Sequence, residues 1–207
     1  MSSIRRLALP ALLASLTLLT GCAGEGRSDT AASTGGAVSS SSSNSSAPTT
    51  EAESEAPVSS FRGDTEPGTA EPSEDARLTV GAVRLAAQPG FDRVVFELGG
   101  AGSPGWDVRY VEEATQDGSG APVPVAGDVI LQVRISGAGY PYDTGVEEYA
   151  AEAPLTAAGT GSVTEVVFAG TYEGVTSAFI GARAARPFRA YLLEGPTRLV
   201  VEVAHAG

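Results

Sequence analysis

The part of the chain after residue 76 alternates apolar and polar residues with a period of two, the pattern of half-buried β-strands. In the clearest stretch, Asp128–Ser136, the residues that share one face are all apolar: Val129, Leu131, Val133 and Ile135. Similar stretches are Val94–Leu98, Trp106–Tyr110 and Leu199–Val203, with weaker ones at Val163–Ala169, Val175–Gly181 and Phe188–Leu193. No window there has convincing helical periodicity, so the pattern predicts an all-β domain.

Glycines separate these stretches and indicate how the strands connect. Asp117-Gly118 is a hairpin-turn signal. At Gly81 the apolar residues change from one parity to the other, as a β-bulge requires. Short strands divided by such turns predict an antiparallel β-sandwich.

One connection, Gly137–Gly161, is much longer than the others. Long loops inside compact domains are uncommon and often functional. This loop carries Tyr140 and Tyr142, which makes both tyrosines candidate binding residues.

The net charge of −12 divides unevenly along the chain. Residues 1–21 carry two Arg and no acid, and residues 22–75 carry two Arg against ten acids, mostly among Ser, Thr, Gly, Ala and Pro. Such a composition cannot bury enough apolar surface to offset its ordering entropy, so it predicts a disordered linker. The foldable domain is then residues 76–207, with nine Arg against fifteen acids.

The amino terminus reads as a lipoprotein signal peptide. Arg5 and Arg6 precede an uncharged, mainly apolar run over residues 7–20, which is too short to span a membrane. The run ends in Leu19-Thr20-Gly21-Cys22, a large aliphatic residue, two small residues and the single cysteine of the chain. This order predicts lipidation of Cys22 and anchoring at the extracytoplasmic face of the cell membrane.

Several chemistries lack the residues that they need. One Cys and one His exclude a disulfide framework, a Cys-based metal site and a His cluster, and no cofactor motif is present. A pI near 4.4 argues against nucleic-acid binding. We expect His205 to be an exposed tail residue, and we expect Asp143, Glu147 and Glu148 to form a solvated acidic loop rather than a weak cation site.

The domain resembles the AMIN-like domain of bacterial, mainly actinobacterial, secreted proteins and lipoproteins. The stretches that carry the resemblance run in order through residues 77–205: Gly90–Glu97, Pro104–Val111, Asp117–Gly120, Tyr172–Gly174, Pro187–Arg189 and Pro196–Val203. The resemblance implies a non-catalytic β-sandwich. By analogy with the related AMIN domain, it also implies targeting to peptidoglycan or to another part of the envelope.

Two strand starts supply candidate binding residues, Phe91-Asp92-Arg93 and Phe188-Arg189. Arginine makes bidentate contacts with carboxylates, which peptidoglycan peptides offer, and aromatic rings suit sugar faces. The structural alternative is that Asp92 and Arg93 form a local ion pair and that Phe91 and Phe188 belong to the core.

The sequence therefore predicts a lipid-anchored, non-enzymatic domain that binds peptidoglycan or an envelope protein. Two alternatives remain open. One is a hydrolase of wall polymers that uses a pair of carboxylates. The other is a small-ligand-binding lipoprotein, although the two-lobed α/β architecture usual for that class is not indicated.

Overall fold

The computed structural model describes residues 61–206, which form nine β-strands and one short helix. The elements are β1 (Gly68–Ala70), β2 (Arg77–Gln88), β3 (Phe91–Ala101), β4 (Gly105–Val111), β5 (Val129–Ser136), α1 (Pro141–Thr144), β6 (Val163–Tyr172), β7 (Val175–Ala182), β8 (Phe188–Leu193) and β9 (Arg198–Ala204). The predicted signal peptide (residues 1–21), Cys22 and residues 22–60 of the predicted linker lie outside the described residues.

The strands form two antiparallel sheets. The four-stranded sheet has the order β2-β3-β9-β8, and the five-stranded sheet has the order β1-β4-β5-β7-β6. Every pair of neighbouring strands is antiparallel. The prediction of an all-β antiparallel sandwich is confirmed.

The hydrophobic core is built from the strand faces that the alternation predicted. On β3 and β9 the apolar residues that face the core are every second one: Val94, Phe96, Leu98, Leu199, Val201 and Val203. On β5 they are Leu131, Val133 and Ile135. Because successive side chains of a strand point to opposite faces, Phe91, Arg93 and Arg189 must lie on the other face of their sheet.

A β-bulge interrupts β2 at the predicted place. The pairing of β2 with β3 shifts register between Val80 and Ala82, so Gly81 has no partner of its own. The shift lets both Val80 and Val83 reach the core, although they differ in parity.

The fold begins earlier than the predicted boundary at residue 76. Strand β1 pairs with β4, and Asp64 forms an isolated bridge with Phe188 through hydrogen bonds of 3.2 Å and 2.7 Å. These contacts are made by the backbone, not by apolar side chains. Composition carries no signal for such pairing, which is why residues 61–75 resembled linker.

The long connection after β5 covers the exposed edge of β2. The N–H of Leu78 donates to Gly137, the N–H of Gly139 donates to Leu78, and the N–H of Tyr149 donates to Val80. Edge strands left unpaired invite association with other chains. The connection therefore protects the β2 edge of the four-stranded sheet. The helix α1 is a single turn within this connection.

The segment between β4 and β5, residues 112–127, crosses the outer face of the five-stranded sheet. Asp117 accepts hydrogen bonds from Arg134 of β5 and Ser177 of β7, and Gln116 donates to the carbonyl of Ala169 in β6. The predicted turn at Asp117-Gly118 lies inside this crossing segment, where Gly118 has a φ of +80°. We call residues 112–127 the covering segment.

Candidate functional site

A row of three charged side chains crosses the outer face of the four-stranded sheet. The strand register places Glu202 of β9 directly between Arg93 of β3 and Arg189 of β8. Glu202 Oε1 accepts a hydrogen bond from Arg93 Nε at 2.8 Å and forms a salt bridge with Arg93 Nη2 at 2.6 Å, and Oε2 accepts a hydrogen bond from Arg189 Nε at 2.5 Å. Tyr191 Oη also donates to Oε1, at 2.9 Å.

Glu202 is the buried centre of this row. Its side chain has no exposed surface, whereas the side chains of Arg93 and Arg189 are 38% and 40% exposed. Burial raises the pKa of Glu202, but the hydrogen bonds from Arg189, Arg93 and Tyr191 outweigh it, so the pKa lies below its ordinary value. Glu202 is therefore held as a carboxylate that fixes both arginines in place.

Aromatic rings surround the two guanidinium groups. The guanidinium carbon of Arg189 lies 5.1 Å from the ring centre of Phe61, 5.9 Å from that of Phe91 and 5.7 Å from that of Tyr191. Arg93 lies 5.3 Å from the ring centre of Phe91. The rings attract the cations through their π-faces and restrict the rotamers of both arginines. We call Arg93, Arg189, Glu202, Phe61, Phe91 and Tyr191 the arginine cluster.

The arginine cluster retains hydrogen-bonding capacity. Within residues 61–206, Nη1 of Arg93 and both terminal nitrogens of Arg189 donate to no other residue. Two guanidinium groups face one carboxylate, so the row carries one excess positive charge. Partly exposed, pre-positioned guanidinium groups with spare N–H donors suit a carboxylate or another oxyanion.

The structure separates the predicted binding residues into three locations. Phe91, Arg93 and Arg189 lie together in the arginine cluster. Asp92 and Phe188 point to the opposite face, where each is buried. Tyr140 and Tyr142 lie elsewhere, on the connection after β5.

Asp92 anchors the chain that enters β6. Its carboxylate accepts hydrogen bonds from the backbone N–H groups of Gly161, Ser162 and Val163, and Asp92 Oδ1 lies 2.8 Å from His205 Nε2. Burial raises the pKa of Asp92, but these hydrogen bonds lower it more, so the pKa lies below its ordinary value. The structure thus excludes a local Asp92–Arg93 ion pair and gives Asp92 a structural role.

The expectation that His205 is an exposed tail residue is wrong. Its imidazole is 24% exposed and reaches the buried Asp92, while its backbone N–H donates to Gly90. The position near the carboxyl end suggested an exposed side chain. Strand β9 instead extends to Ala204, which delivers the next residue to the end of the sandwich.

Phe188 also serves the core. It is 3% exposed and meets Tyr110 edge to face, with ring centres 5.6 Å apart. Tyr110 donates its hydroxyl to the carbonyl of Arg186, and burial raises the pKa of this tyrosine. The structural alternative, a place in the core, therefore holds for Phe188 but not for Phe91, which lies outside the core.

Sequence reasoning missed Glu202, Tyr191 and Phe61. Alternation along β9 did place Glu202 opposite the core residues, but an outward Glu is ordinarily solvated. Its importance comes from the pairing of β9 with both β3 and β8, which no local pattern shows. Phe61 lay in the predicted linker, where it was the only aromatic residue.

Neither a candidate metal site nor a membrane-spanning helix is found in the part of the chain that the structure describes. Within residues 61–206, no three His, Cys, Asp or Glu side chains are grouped so that they could hold a metal ion. No helix in this part of the chain is both long and apolar enough to cross a membrane.

Comparison with known proteins gives one positive result. The family model for the AMIN-like domain matches residues 78–205, which is more than half of the chain. Comparisons with curated proteins and with solved structures found no match. The matched residues include every strand from β3 to β9, and so both arginines and Glu202.

Proposed function

The chain belongs to the AMIN-like domain family, and from this premise we propose that it is a lipid-anchored protein whose domain binds anionic cell-envelope material without catalysis. AMIN-like domains are extracytoplasmic and have a general role in binding peptidoglycan or the envelope. The observation that carries the proposal for this chain is the arginine cluster, in which one buried carboxylate positions two arginines that keep spare donors.

The ligand class follows from the charge and shape of the cluster. Arg93 and Arg189 bind the two oxygens of the same carboxylate and keep further N–H groups that a ligand carboxylate can accept. Phe61, Phe91 and Tyr191 supply apolar contact beside these donors. The peptide stems of peptidoglycan carry both carboxylates and aliphatic groups. The carboxylates match the arginines of the cluster, and the aliphatic groups match its aromatic rings.

The anchor is supported by the sequence around Cys22. The residues before it have the order that lipoprotein signal peptidases require, and one cysteine is all that the modification needs. Two or three acyl chains hold a protein stably at a membrane, whereas one chain does not. A Cys22→Ala variant should therefore lose its partition into the detergent phase, and a variant that kept it would refute the anchor.

Retention on purified sacculi tests the binding function. The full chain should be retained, and retention should weaken as salt rises because the contact is ionic. The triple variant Arg93→Gln, Glu202→Gln, Arg189→Gln removes the charges together, so no buried charge is left without a partner. We expect it to lose the salt-sensitive part of this retention.

A matched control lies on the other sheet. The double variant Arg134→Gln, Asp117→Asn neutralises an ion pair whose arginine is as exposed as Arg93 but has a carboxylate of its own, supplied by the covering segment. It should bind sacculi like the unmodified chain. Equal retention of all three proteins would refute the arginine cluster as the binding site, and no retention of the unmodified chain would refute peptidoglycan as the ligand.

The absence of catalysis has its own test. Incubation of the full chain with purified cell wall should release no soluble sugar or peptide. Release that persists through purification and is lost in a carboxylate variant would establish an enzyme instead.

A further inference from the structure

A second group of aromatic side chains lies away from the arginine cluster. Tyr140 and Tyr142 stand at the start of the connection after β5, and Tyr172 and Glu173 stand in the hairpin between β6 and β7. The backbone N–H of Glu173 donates to the hydroxyl of Tyr140 at 3.4 Å, which joins the two segments. We call Tyr140, Tyr142, Tyr172 and Glu173 the tyrosine platform.

The rings of the platform are exposed to an unusual degree. Tyr142 is 82% exposed and Tyr172 is 45% exposed, and only one other large apolar side chain within residues 61–206, Leu193, is also exposed. Tyr142 stacks on Tyr140 with ring centres 5.5 Å apart and planes 13° apart. One face of Tyr142 is thus supported by a neighbouring ring, and its opposite face is open to a ligand.

Tyr172 is also held in place from one side. A Cβ atom added to Gly118 would come within 2.8 Å of Cζ and 3.0 Å of Cε2 of Tyr172. The ring therefore rests directly on the backbone of the covering segment, where only glycine leaves enough space. Two tyrosines are fixed before any ligand arrives, which lowers the entropic cost of binding.

The hairpin sequence departs from what the turn prefers. Glu173 and Gly174 have φ values of +47° and +79°, and two-residue hairpin turns of this kind favour Asn-Gly or Asp-Gly. Glu173 is the one non-glycine residue with positive φ within residues 61–206. Residues that are held in an unfavourable backbone conformation are concentrated at functional sites.

The glutamate places a negative charge beside the Tyr172 hydroxyl. This charge raises the pKa of that hydroxyl. Asp143, which is exposed, follows Tyr142 directly in the chain. The surroundings of the rings are therefore negative, in contrast to those of the arginine cluster.

We propose that the tyrosine platform binds the sugar rings of a neutral glycan. The open faces of Tyr142 and Tyr172 stack on the apolar C–H faces of the sugars. The Glu173 carboxylate and the tyrosine hydroxyls bond to sugar hydroxyl groups. The negative charge disfavours anionic ligands, so this site takes a different chemical class from that of the arginine cluster and does not depend on it.

Titration of the full chain with tri-N-acetylchitotriose tests the proposal. This trimer of β-1,4-linked N-acetylglucosamine is neutral, and binding can be followed by calorimetry and by the NMR signals of the tyrosine rings. We expect saturable binding that weakens at least tenfold in Tyr142→Ala, a change that leaves folding intact because the side chain is almost fully exposed. Tyr149→Phe, which alters a partly buried tyrosine that packs against Phe168, is the matched control and should bind normally.

Substitution of Glu173 separates a binding role from a structural one. Glu173→Asn supplies a residue that the turn favours, so the variant should melt at a higher temperature while it binds the trimer several-fold more weakly. Equal trimer binding by Tyr142→Ala and the unmodified chain would overturn the proposal, as would no saturable binding of the trimer. Binding of a proline-rich peptide at these tyrosines in place of the trimer would overturn it in favour of a peptide site.

The sacculus and trimer experiments can fail independently. Loss of charge in the arginine cluster should leave trimer binding unchanged, because the trimer carries no carboxylate. Trimer binding without salt-sensitive sacculus retention would refute the proposed function and support the platform, and the reverse result would do the opposite.

Discussion

Both sheets carry a charged pair or row on the face that points away from the core, but they satisfy it differently. On the five-stranded sheet, Arg134 pairs with Asp117, which belongs to the covering segment and also accepts a hydrogen bond from Ser177. On the four-stranded sheet, Glu202 is fully buried between Arg93 and Arg189, which remain partly exposed. The exposure of the cations is similar, and the difference is the charge balance: Arg134 meets one carboxylate, whereas Arg93 and Arg189 share one.

The difference shows how one scaffold balances the charges on its two outer faces in two ways. Where the chain supplies the counter-ion from a loop, the outer face becomes a second buried layer, and Phe179 there is completely buried despite its parity opposite to the core. Where the counter-ion comes from the sheet itself, two arginines meet one carboxylate. The excess of one cation is the charge that the proposed ligand would meet.

The largest expected effect is the loss of the buried carboxylate. Glu202→Ala leaves two neighbouring guanidinium groups without their shared partner, so we expect the free energy of unfolding to fall by about 3–5 kcal/mol. Asp117→Ala should cost only about 1–2 kcal/mol, because that pair is partly hydrated. Urea denaturation of both variants measures the comparison, and equal losses would contradict it.

Protonation at low pH should destabilise the domain less than removal of the Glu202 side chain does, because a protonated carboxyl keeps some of its hydrogen bonds. The pKa values of Glu202 and Asp92 lie below their ordinary values. In the range between the folded and ordinary values, near pH 4 and below, the unfolded chain binds more protons. The stability that both groups contribute is therefore present at neutral pH and is lost as pH falls through their folded pKa values.

The measurement is the urea midpoint between pH 7 and pH 3. The double variant Asp92→Asn, Glu202→Gln should be less stable at pH 7 and should show a flatter profile. A profile as steep as that of the unmodified chain would assign the acid sensitivity to other carboxylates.

A smaller effect is expected where the covering segment meets Tyr172. Gly118 and Gly120 both have positive φ, but only Gly118 lies against the tyrosine ring. Alanine at Gly120 should cost about 1 kcal/mol for the backbone conformation alone. Alanine at Gly118 should cost about 0.5–1 kcal/mol more, since the half-exposed ring of Tyr172 must leave its rotamer. Equal losses in thermal denaturation would contradict the contact.

Sequence periodicity was sufficient for the fold because the residues that face the core recur at every second position, even in β7 and β9, which are buried on both faces. Leu131, Val133 and Ile135 are buried as predicted, and the bulge at Gly81 lies where the parity changes. Strand β1 escaped prediction because its pairing is made by the backbone of Gly68, Thr69 and Ala70. Local patterns report which face a residue occupies, but not which distant strand lies beside it.

The same limit explains what could be foreseen of the site. Arg93 and Arg189 were chosen for their chemistry, and the register brings them to the same carboxylate. Asp92 was also chosen for its chemistry, but it has the parity of the buried residues of β3. Alternation alone could have placed its side chain on the core face of the sheet. Glu202 gains its role from two cross-strand neighbours at large sequence separation, so it required the assembled sheet.

The smallest expected effect comes from a pair on the same face as the arginine cluster. Arg84 and Glu97 lie 2.8 Å apart, with side chains that are 66% and 33% exposed, and exposed pairs of this kind contribute about 0–1 kcal/mol. Arg84→Ala should therefore change the free energy of unfolding by less than about 0.5 kcal/mol and should leave sacculus retention intact. A loss as large as that of Glu202→Ala would mean that the whole outer face acts as one electrostatic unit. A negligible loss would mean that burial of the central carboxylate, rather than the charge of the sheet, is what distinguishes the cluster.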